Sequence, residues 1–285
     1  HLSAHEFSFS GERLRDESSR YATLARTLAS KDRAPAHLLA LAPVRIAHST
    51  PREFGRFRQE GRVNIGYTFW ETTRLRPEWV AYCNALDEVW VACEDNRRWF
   101  RDSGVTVPVH VVPVVVPEEP RWPVAPPRGW EFLASEQRYV FYSVFVWQER
   151  KNPLGTIKAY LAEFEDRDGV LLALKVTVRG KFSDVEDAVA KLRREMHKER
   201  PPEVRLIPGN FSDQQLAWVH RHADCYFQLQ HSEGFGLPHF EALSYGNTLV
   251  TTAFGGPRDF MRPEWVELGA CHPFGGFETP VVAAT

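Results

Sequence analysis

The sequence predicts an α/β protein of two domains, each a parallel sheet covered by helices. Three observations predict it. Strand-sized apolar runs alternate with helical stretches along most of the 285 residues. Alternation at that period requires right-handed crossovers, and therefore parallel sheets. The pattern breaks at one place, where six prolines (Pro113, Pro117, Pro120, Pro123, Pro126 and Pro127) crowd together. Proline neither donates to a ladder nor continues a helix, so this stretch is the expected boundary. The expected division is a first domain over 1–118, a linker over 119–130 and a second domain over 131–285.

In the first domain the strand candidates are Val44–His48, Val63–Thr68, Glu88–Ala92 and Val109–Val112, with helices over Arg20–Ala29, Arg76–Asn84 and Asn96–Asp102. The alternation is cleaner in the second domain, where strands are expected at Tyr139–Val146, Val170–Val176, Glu203–Ile207, Cys225–Leu229 and Thr248–Thr252. Start signals mark the helices between them. Asn152-Pro153 reads as an N-cap and first-turn proline, with Leu154, Ile157, Leu161 and Phe164 on one face. Ser183 with Glu186, and Ser212 with Gln215, have capping-box spacing.

Composition excludes several classes. The chain has 35 Lys and Arg against 37 Asp and Glu, a formal charge of −2, with no run of one sign. A general binder of nucleic acid or anionic membrane is therefore not expected. No apolar run reaches the roughly 18 residues that span a bilayer. Cys83, Cys93, Cys225 and Cys271 lie too far apart for a zinc knuckle or a disulfide framework. The expected location is a reducing cytoplasm, with the protein soluble or peripheral at a membrane. A chain that starts at His1 without a leader and stops at Thr285 reads as trimmed or processed.

The chemistry concentrates in the loop after Cys225–Leu229, which runs His231-Ser232-Glu233-Gly234-Phe235-Gly236-Leu237-Pro238-His239-Phe240-Glu241. Gly234 and Gly236 permit a tight turn and close approach to a ligand. Pro238 pre-sets a helical turn whose amides welcome an anion such as a diphosphate. Glu233 and Glu241 are carboxylates able to accept paired hydroxyl hydrogen bonds from a sugar and a ribose. In two parallel-sheet domains such loops follow strands, where open α/β folds hold ligands.

Glu233 and Glu241, separated by seven residues that include Gly234-Phe235-Gly236-Leu237-Pro238, are followed by Ala242-Leu243-Ser244-Tyr245-Gly246 and by Thr251-Thr252 before Gly255-Gly256. This string resembles the retaining glycosyltransferases of family 4, the glycosyl transferases group 1. The resemblance implies the GT-B fold, two Rossmann-like domains facing a cleft. It also implies a nucleotide-diphosphate-sugar donor, a saccharide, lipid-linked or small-molecule acceptor, and neither cofactor nor metal. Glu241 is then the ribose ligand and Glu233 lies at the donor sugar, with Gly234, Phe235, Gly236 and Leu237 lining the donor. The similarity extends to Trp147-Gln148-Glu149-Arg150-Lys151-Asn152-Pro153, where the family places cations on the diphosphate. Arg150 and Lys151 stand at a helix start that the macrodipole makes unfavourable for cations, a conflict that an anionic ligand resolves. Many relatives carry an earlier Arg where this chain has Phe145, and Lys175 is the candidate replacement. Ile65-Gly66-Tyr67-Thr68-Phe69-Trp70-Glu71-Thr72 resembles an acceptor-side loop, with Glu71 placed to orient or deprotonate a hydroxyl.

Other signals carry less. His48 reads as a cleft residue by position or, equally, as a core histidine. Asp166-Arg167-Asp168 spells a two-aspartate metal motif, but before the strand at Val170 it reads as a solvated turn. The pairs His220 with His222 and His231 with His239 lack further ligands at metal spacing, so no structural zinc is expected. Trp70 and Trp79 are the tryptophans placed to stack on a sugar. At both ends the family pattern weakens: only Ser10-Gly11 stands where a glycine-rich loop is usual, and nothing after Gly275 resembles the usual returning helix. The first domain therefore reads as abbreviated and the second as truncated. Two alternatives remain. A sugar-nucleotide epimerase would need no acceptor, and a non-catalytic nucleotide-sugar-binding subunit would show no turnover.

Overall fold

A computed structural model describes residues 2–6, 36–41, 60–114, 125–261, 266–269 and 281–284. His48, Cys271, the Ser10-Gly11 pair, the helix expected over Arg20–Ala29 and the strand expected over Val44–His48 lie outside these residues. The chain divides into two compact units, one of 1–114 with Glu233–Phe235, the other of 115–232 with 236–285.

Among the described residues the first unit has a sheet of five parallel strands, Leu2–Glu6 (β1), Ala36–Leu41 (β2), Val63–Thr68 (β3), Glu88–Val91 (β4) and Val109–Val111 (β5), in sequential order. Helices Pro77–Asn84 (α1) and Glu94–Asp102 (α2) make the crossovers from β3 to β4 and from β4 to β5. Pro77 opens α1, where its missing N–H has no partner to lose. Cys93 caps α2, its sulfur accepting from the Asn96 amide. Trp79, Tyr82, Cys83, Leu86, Val89, Val91, Phe100 and Val109 close the core. Burial pushes the Cys83 thiol up to about 12.

Among the described residues the second unit has a seven-stranded sheet: Tyr139–Val146 (β6), Val170–Thr177 (β7), Glu203–Pro208 (β8), Cys225–Gln228 (β9), Thr248–Thr252 (β10), Val266–Gly269 (β11) and Val281–Ala284 (β12). Their order is β11-β12-β10-β9-β6-β7-β8. Helices Pro153–Glu163 (α3), Phe182–Glu195 (α4), Asp213–His222 (α5), Leu237–Ser244 (α6) and Pro257–Phe260 (α7) follow β6, β7, β8, β9 and β10 in turn. Along β7 alternate side chains enter two cores. Leu171 and Ala173 pack with Trp130, Tyr142, Trp218 and Leu249, whereas Leu172, Leu174 and Val176 pack with Ile157, Tyr160, Leu161 and Val185. A strand apolar on both faces is what a parallel sheet covered on both sides requires.

Four expectations are corrected. The second sheet is not wholly parallel, because β12 runs antiparallel to both β10 and β11. The connection from Gly269 to Val281 is shorter than the dozen or more residues a crossover needs. Ser183 caps nothing, since α4 already begins at Phe182 with Lys181 at the N-cap and no side-chain bond there. Leu154 is 40% exposed; of the expected face α3 buries Ile157 and Leu161, joined by Thr156 and Tyr160. Trp79 is buried in the first core with its ring edge-on to Trp70 at 4.2 Å, so it is packing and not a sugar platform. The Ser212 capping box forms as expected, with reciprocal bonds between Ser212 and Gln215.

Arg138 ties the approach to β6 to the start of β8. Its guanidinium donates to Glu136 at 2.8 and 2.9 Å and to Glu203 at 2.7 Å. The Arg138 hydrogen bonds hold the Glu136 carboxyl down at about 2, and those from Arg205 and Arg138 lower Glu203 too. A carboxylate depressed in the fold adds stability that is complete above its ordinary pKa of 4.5 and is lost as pH falls toward 2. Arg138→Ala should therefore destabilise the protein at neutral pH and flatten the stability loss between pH 4.5 and 2. Urea melts across that range check it; an unchanged slope would show that the cluster is idle.

Candidate active site

The strand order of the second unit reverses between β6 and β9. From β6 the chain winds outward through β7 and β8, then crosses back to place β9 on the other side. β6 and β9 pair over only two positions, Phe141 with Cys225 and Tyr142 with Tyr226, before they part. In open α/β sheets ligands sit at such a switch point, outside the carboxyl ends of the strands. Both motifs singled out in the sequence emerge there, one after β6 and one after β9.

The two motifs are stitched together through main-chain groups. Arg150 and Lys151 lie on a single 3₁₀ turn, Glu149–Lys151, ahead of α3. Asn152 then turns left-handed at φ 46° and caps α3, its Oδ1 accepting from the Gly155 amide at 3.2 Å. Asparagine tolerates that conformation better than most residues. A side chain at Gly155 would collide with Asn152, so the glycine makes room for the cap. The Asn152 Nδ2 donates to the Leu229 carbonyl at 2.7 Å, and the Leu229 amide donates to Thr156 Oγ1 at 3.0 Å. One turn further along, the His231 amide donates to the Arg150 carbonyl at 2.9 Å, and the Arg150 guanidinium donates to the Ser232 carbonyl at 2.8 Å. The basic turn and the glutamate loop thus share one scaffold. Lys151 is 8% exposed, a buried cation beside the positive end of α3.

Gly236 begins α6 at φ +85°, where a Cβ would also press on Pro257 at 3.1 Å and on His239 Nδ1 at 3.2 Å. Glycine is required there twice over, by conformation and by space. Gly234 has no positive φ; a Cβ on it would stand 3.2 Å from Phe69 Cβ and from the Trp70 carbonyl within the first unit. Its requirement is room alone. Glu233 and Phe235 are buried, and Leu237 is half-buried at the first turn of α6. Beneath the loop Gln230 is 1% exposed, accepting from Thr251 Oγ1 at 2.9 Å and sharing a 3.2 Å bond with His239 Nε2. Sequence reasoning passed over Gln230 and Thr156, because neither belongs to a local pattern.

Glu241 is half-buried in the middle of α6. Its Oε2 lies 3.8 Å from Nε2 of His220 in the last turn of α5. His220 and His222 diverge, the former toward Tyr142 and the latter bonding the Trp218 carbonyl through Nδ1 at 2.8 Å. Among the described residues no three His, Cys, Asp or Glu side chains converge as a metal site, and Asp166 and Asp168 stand exposed in a capped 3₁₀ turn. Lys175 is buried near the end of β7, donating to Thr177 Oγ1 at 2.7 Å with its ammonium 5.5 Å from the Phe211 ring centre. In the first unit Glu71 is half-buried on the loop after β3. Asn96 grips that loop by exchanging two hydrogen bonds, 2.8 and 2.9 Å, with the Trp70 main chain.

Residues 130–265 match the family described as glycosyl transferases group 1. That span makes up most of the second unit. No curated protein matches the chain. Among solved structures, a trehalose-6-phosphate structure from E. coli, bound with UDP-2-fluoro glucose, is similar at 13% identity with a TM-score of 0.60, over 84% of this chain and 64% of that one. A UDP-forming α,α-trehalose-phosphate synthase from Burkholderia vietnamiensis is similar at 16% identity and TM-score 0.57, over 84% and 61%. TarM of S. aureus, in complex with Fondaparinux, alpha-GlcNAc-glycerol and UDP, is similar at 12% identity and TM-score 0.56, over 85% and 47%. The chain spans less than two thirds of each of these structures. At such identities the likeness establishes the fold, which is that of the GT-B glycosyltransferases. The matched span includes Arg150, Lys151, Glu233 and Glu241. Among the described residues no helix is long and apolar enough to cross a membrane.

Proposed function

We propose that the chain transfers a sugar from a nucleotide-diphosphate-sugar donor to a hydroxyl of a saccharide, lipid-linked or small-molecule acceptor, with retention of anomeric configuration. The observation that carries this reading is the stitching of the Arg150–Lys151 turn to the 229–241 loop at the switch point of the second sheet. On this reading Arg150, Lys151, Lys175 and the amides at Gly236 and Leu237 hold the diphosphate, Glu241 the ribose and Glu233 the donor sugar. Gly234 and Phe235 line the donor.

The bond from the anomeric carbon to the diphosphate breaks as the acceptor oxygen bonds to the same face, and the acceptor proton passes to the leaving phosphate. Glu71 orients that hydroxyl. Negative charge grows on the departing diphosphate, so fixed cations and amides that bind it more strongly as it leaves lower the barrier. The reading calls on no cofactor beyond the donor itself.

The test is binding first, then transfer. The similar structure bound with UDP-2-fluoro glucose makes UDP the first nucleotide to try, beside GDP and ADP. A ligand at a hundred times its dissociation constant adds about 2.7 kcal/mol of stability, readily seen as a thermal shift. Glu241→Ala should weaken the stabilising nucleotide by about tenfold or more in calorimetry, as loss of charge-assisted bonds predicts. No shift with any nucleoside diphosphate would overturn the reading, and labelled donor consumed without an acceptor product would favour an epimerase.

A further inference from the structure

The start of α2 holds two loops at once, and each hold falls on the main chain beside a glutamate. Asn96, the third residue of α2, is fully buried and pairs with Trp70 as one peptide group pairs with another. The Trp70 amide donates to Asn96 Oδ1 at 2.8 Å, and Asn96 Nδ2 donates to the Trp70 carbonyl at 2.9 Å. A main-chain amide only donates and a carbonyl only accepts, so the pairing fixes which end of the carboxamide is oxygen. The Trp70 carbonyl belongs to the peptide that ends on the Glu71 nitrogen. Its hydrogen bond therefore sets the plane from which Glu71 departs. Beyond Glu71 the loop is closed by the Arg74 carbonyl, which accepts from Trp70 Nε1 and Thr72 Oγ1, both at 3.0 Å. Cys93, the N-cap three residues before Asn96, is also fully buried. Its sulfur accepts from the Asn96 amide at 3.5 Å, and its thiol donates to the Gly234 carbonyl at 3.2 Å, next to Glu233. Gly234 presses in turn on the Trp70 main chain, with no room there for a Cβ. All of these groups belong to the first unit.

We propose that the first turn of α2 sets the two glutamates for transfer, with Asn96 as the positioning residue for Glu71 and Cys93 as the positioning residue for Glu233. This inference rests on the reading of Glu71 as orienting the acceptor hydroxyl and of Glu233 as lying at the donor sugar. The two holds fail in different ways. When Glu71 turns away, the bond from the anomeric carbon to the diphosphate still breaks, but water supplies the oxygen that bonds to that carbon and passes its proton to the leaving phosphate. When Glu233 shifts, the donor itself is misplaced, and water is served as poorly as any other hydroxyl. A misplacement of about 1 Å at a reacting group can cost about a hundredfold in rate. Two buried hydrogen-bonding side chains are thus enough to govern how the donor is partitioned between acceptor and water.

Two measurements on the full chain test it. The first is the ratio of transfer to hydrolysis, with UDP-glucose, GDP-mannose and ADP-glucose labelled in the sugar as donors and glycerol, glucose and glucose 6-phosphate as acceptors. Asn96→Asp keeps the oxygen that the Trp70 amide needs, puts a second oxygen against the Trp70 carbonyl, and suits the positive end of α2. It should lower the ratio about tenfold. Asn96→Ser, too short to reach both Trp70 groups, carries the same expectation should the buried aspartate unfold the chain. Cys93→Ala should slow transfer and hydrolysis together, and Cys93→Ser, which still caps α2 and donates to Gly234, should restore both. A parental ratio in the Asn96 variants, or parental hydrolysis in Cys93→Ala, would overturn the proposal and leave the sugar-transfer reading intact. The second measurement needs no substrate. Amide hydrogen exchange should quicken over residues 69–73 in the Asn96 variants and over 232–236 in Cys93→Ala. Exchange as fast in the parent as in the variants would overturn the proposal as well. A parent that consumes none of the donors, with the expected exchange, would sink the sugar-transfer reading and reduce the two holds to supports of the fold.

Discussion

Lys151→Ala should lower the single-turnover rate of sugar transfer by about a hundredfold to a thousandfold, the usual loss for one preorganised contact to developing charge. Donor affinity should fall by much less. The difference arises because the ammonium meets less charge on the bound donor than on the departing diphosphate, so its removal is felt mainly in the transition state. Position supports a large effect. Lys151 is buried, stands beside the positive end of α3, and shares the Glu149–Lys151 turn with Arg150 directly before the cap Asn152. Rates are compared at saturating donor, with affinity measured separately. Equal rates in parent and variant would leave Lys151 as a structural charge and move the diphosphate toward Lys175.

The second large effect is expected at Asn152, and it is one of stability. Asn152→Ala removes a helix cap worth about 1 kcal/mol. It places a residue with a Cβ and no local hydrogen bond in a left-handed conformation, costing about 1 to 2 kcal/mol. It also strips the Leu229 carbonyl of its donor, which adds about 1 to 3 kcal/mol when that group is buried. A loss of about 3 kcal/mol or more by urea denaturation is the expected outcome. Asn152→Gly separates the causes, since it relieves the backbone but restores no bond to Leu229. If glycine recovers all of the stability, the stitch between α3 and β9 contributes nothing. Because Lys151 precedes the cap directly, transfer should also slow in the alanine variant.

Much of the second unit was legible because its signals are local. Five strands and the Ser212 box follow from periods and spacings within a dozen residues. The misses have equally local reasons. β2, Ala36–Leu41, is rich in Ala and Leu, which favour helix in isolation, and it becomes a strand only by pairing with β1 and β3. Ser183 has the right spacing, yet α4 starts one residue earlier. At the site, the motifs were visible while their joinery was not. Asn152 meets Leu229 across 77 positions and Tyr142 meets Asn247 across 105, and nothing in either neighbourhood marks its partner. His220 stood in the sequence as half of an incomplete metal pair; only the fold turns it toward Glu241.

The main chain of Leu229 is gripped by Asn152 on one side and Thr156 on the other. Its amide and carbonyl belong to α3, so they are not offered to a neighbouring strand, and β9 must stop where it does. The departure point of the glutamate loop is consequently written in residues about seventy positions upstream of it. An inserted or exchanged loop can begin from the same spot with a new sequence, provided the two polar side chains on α3 stay. This separates address from content: the loop's own residues can change while the pair at the start of α3 keeps its point of departure fixed.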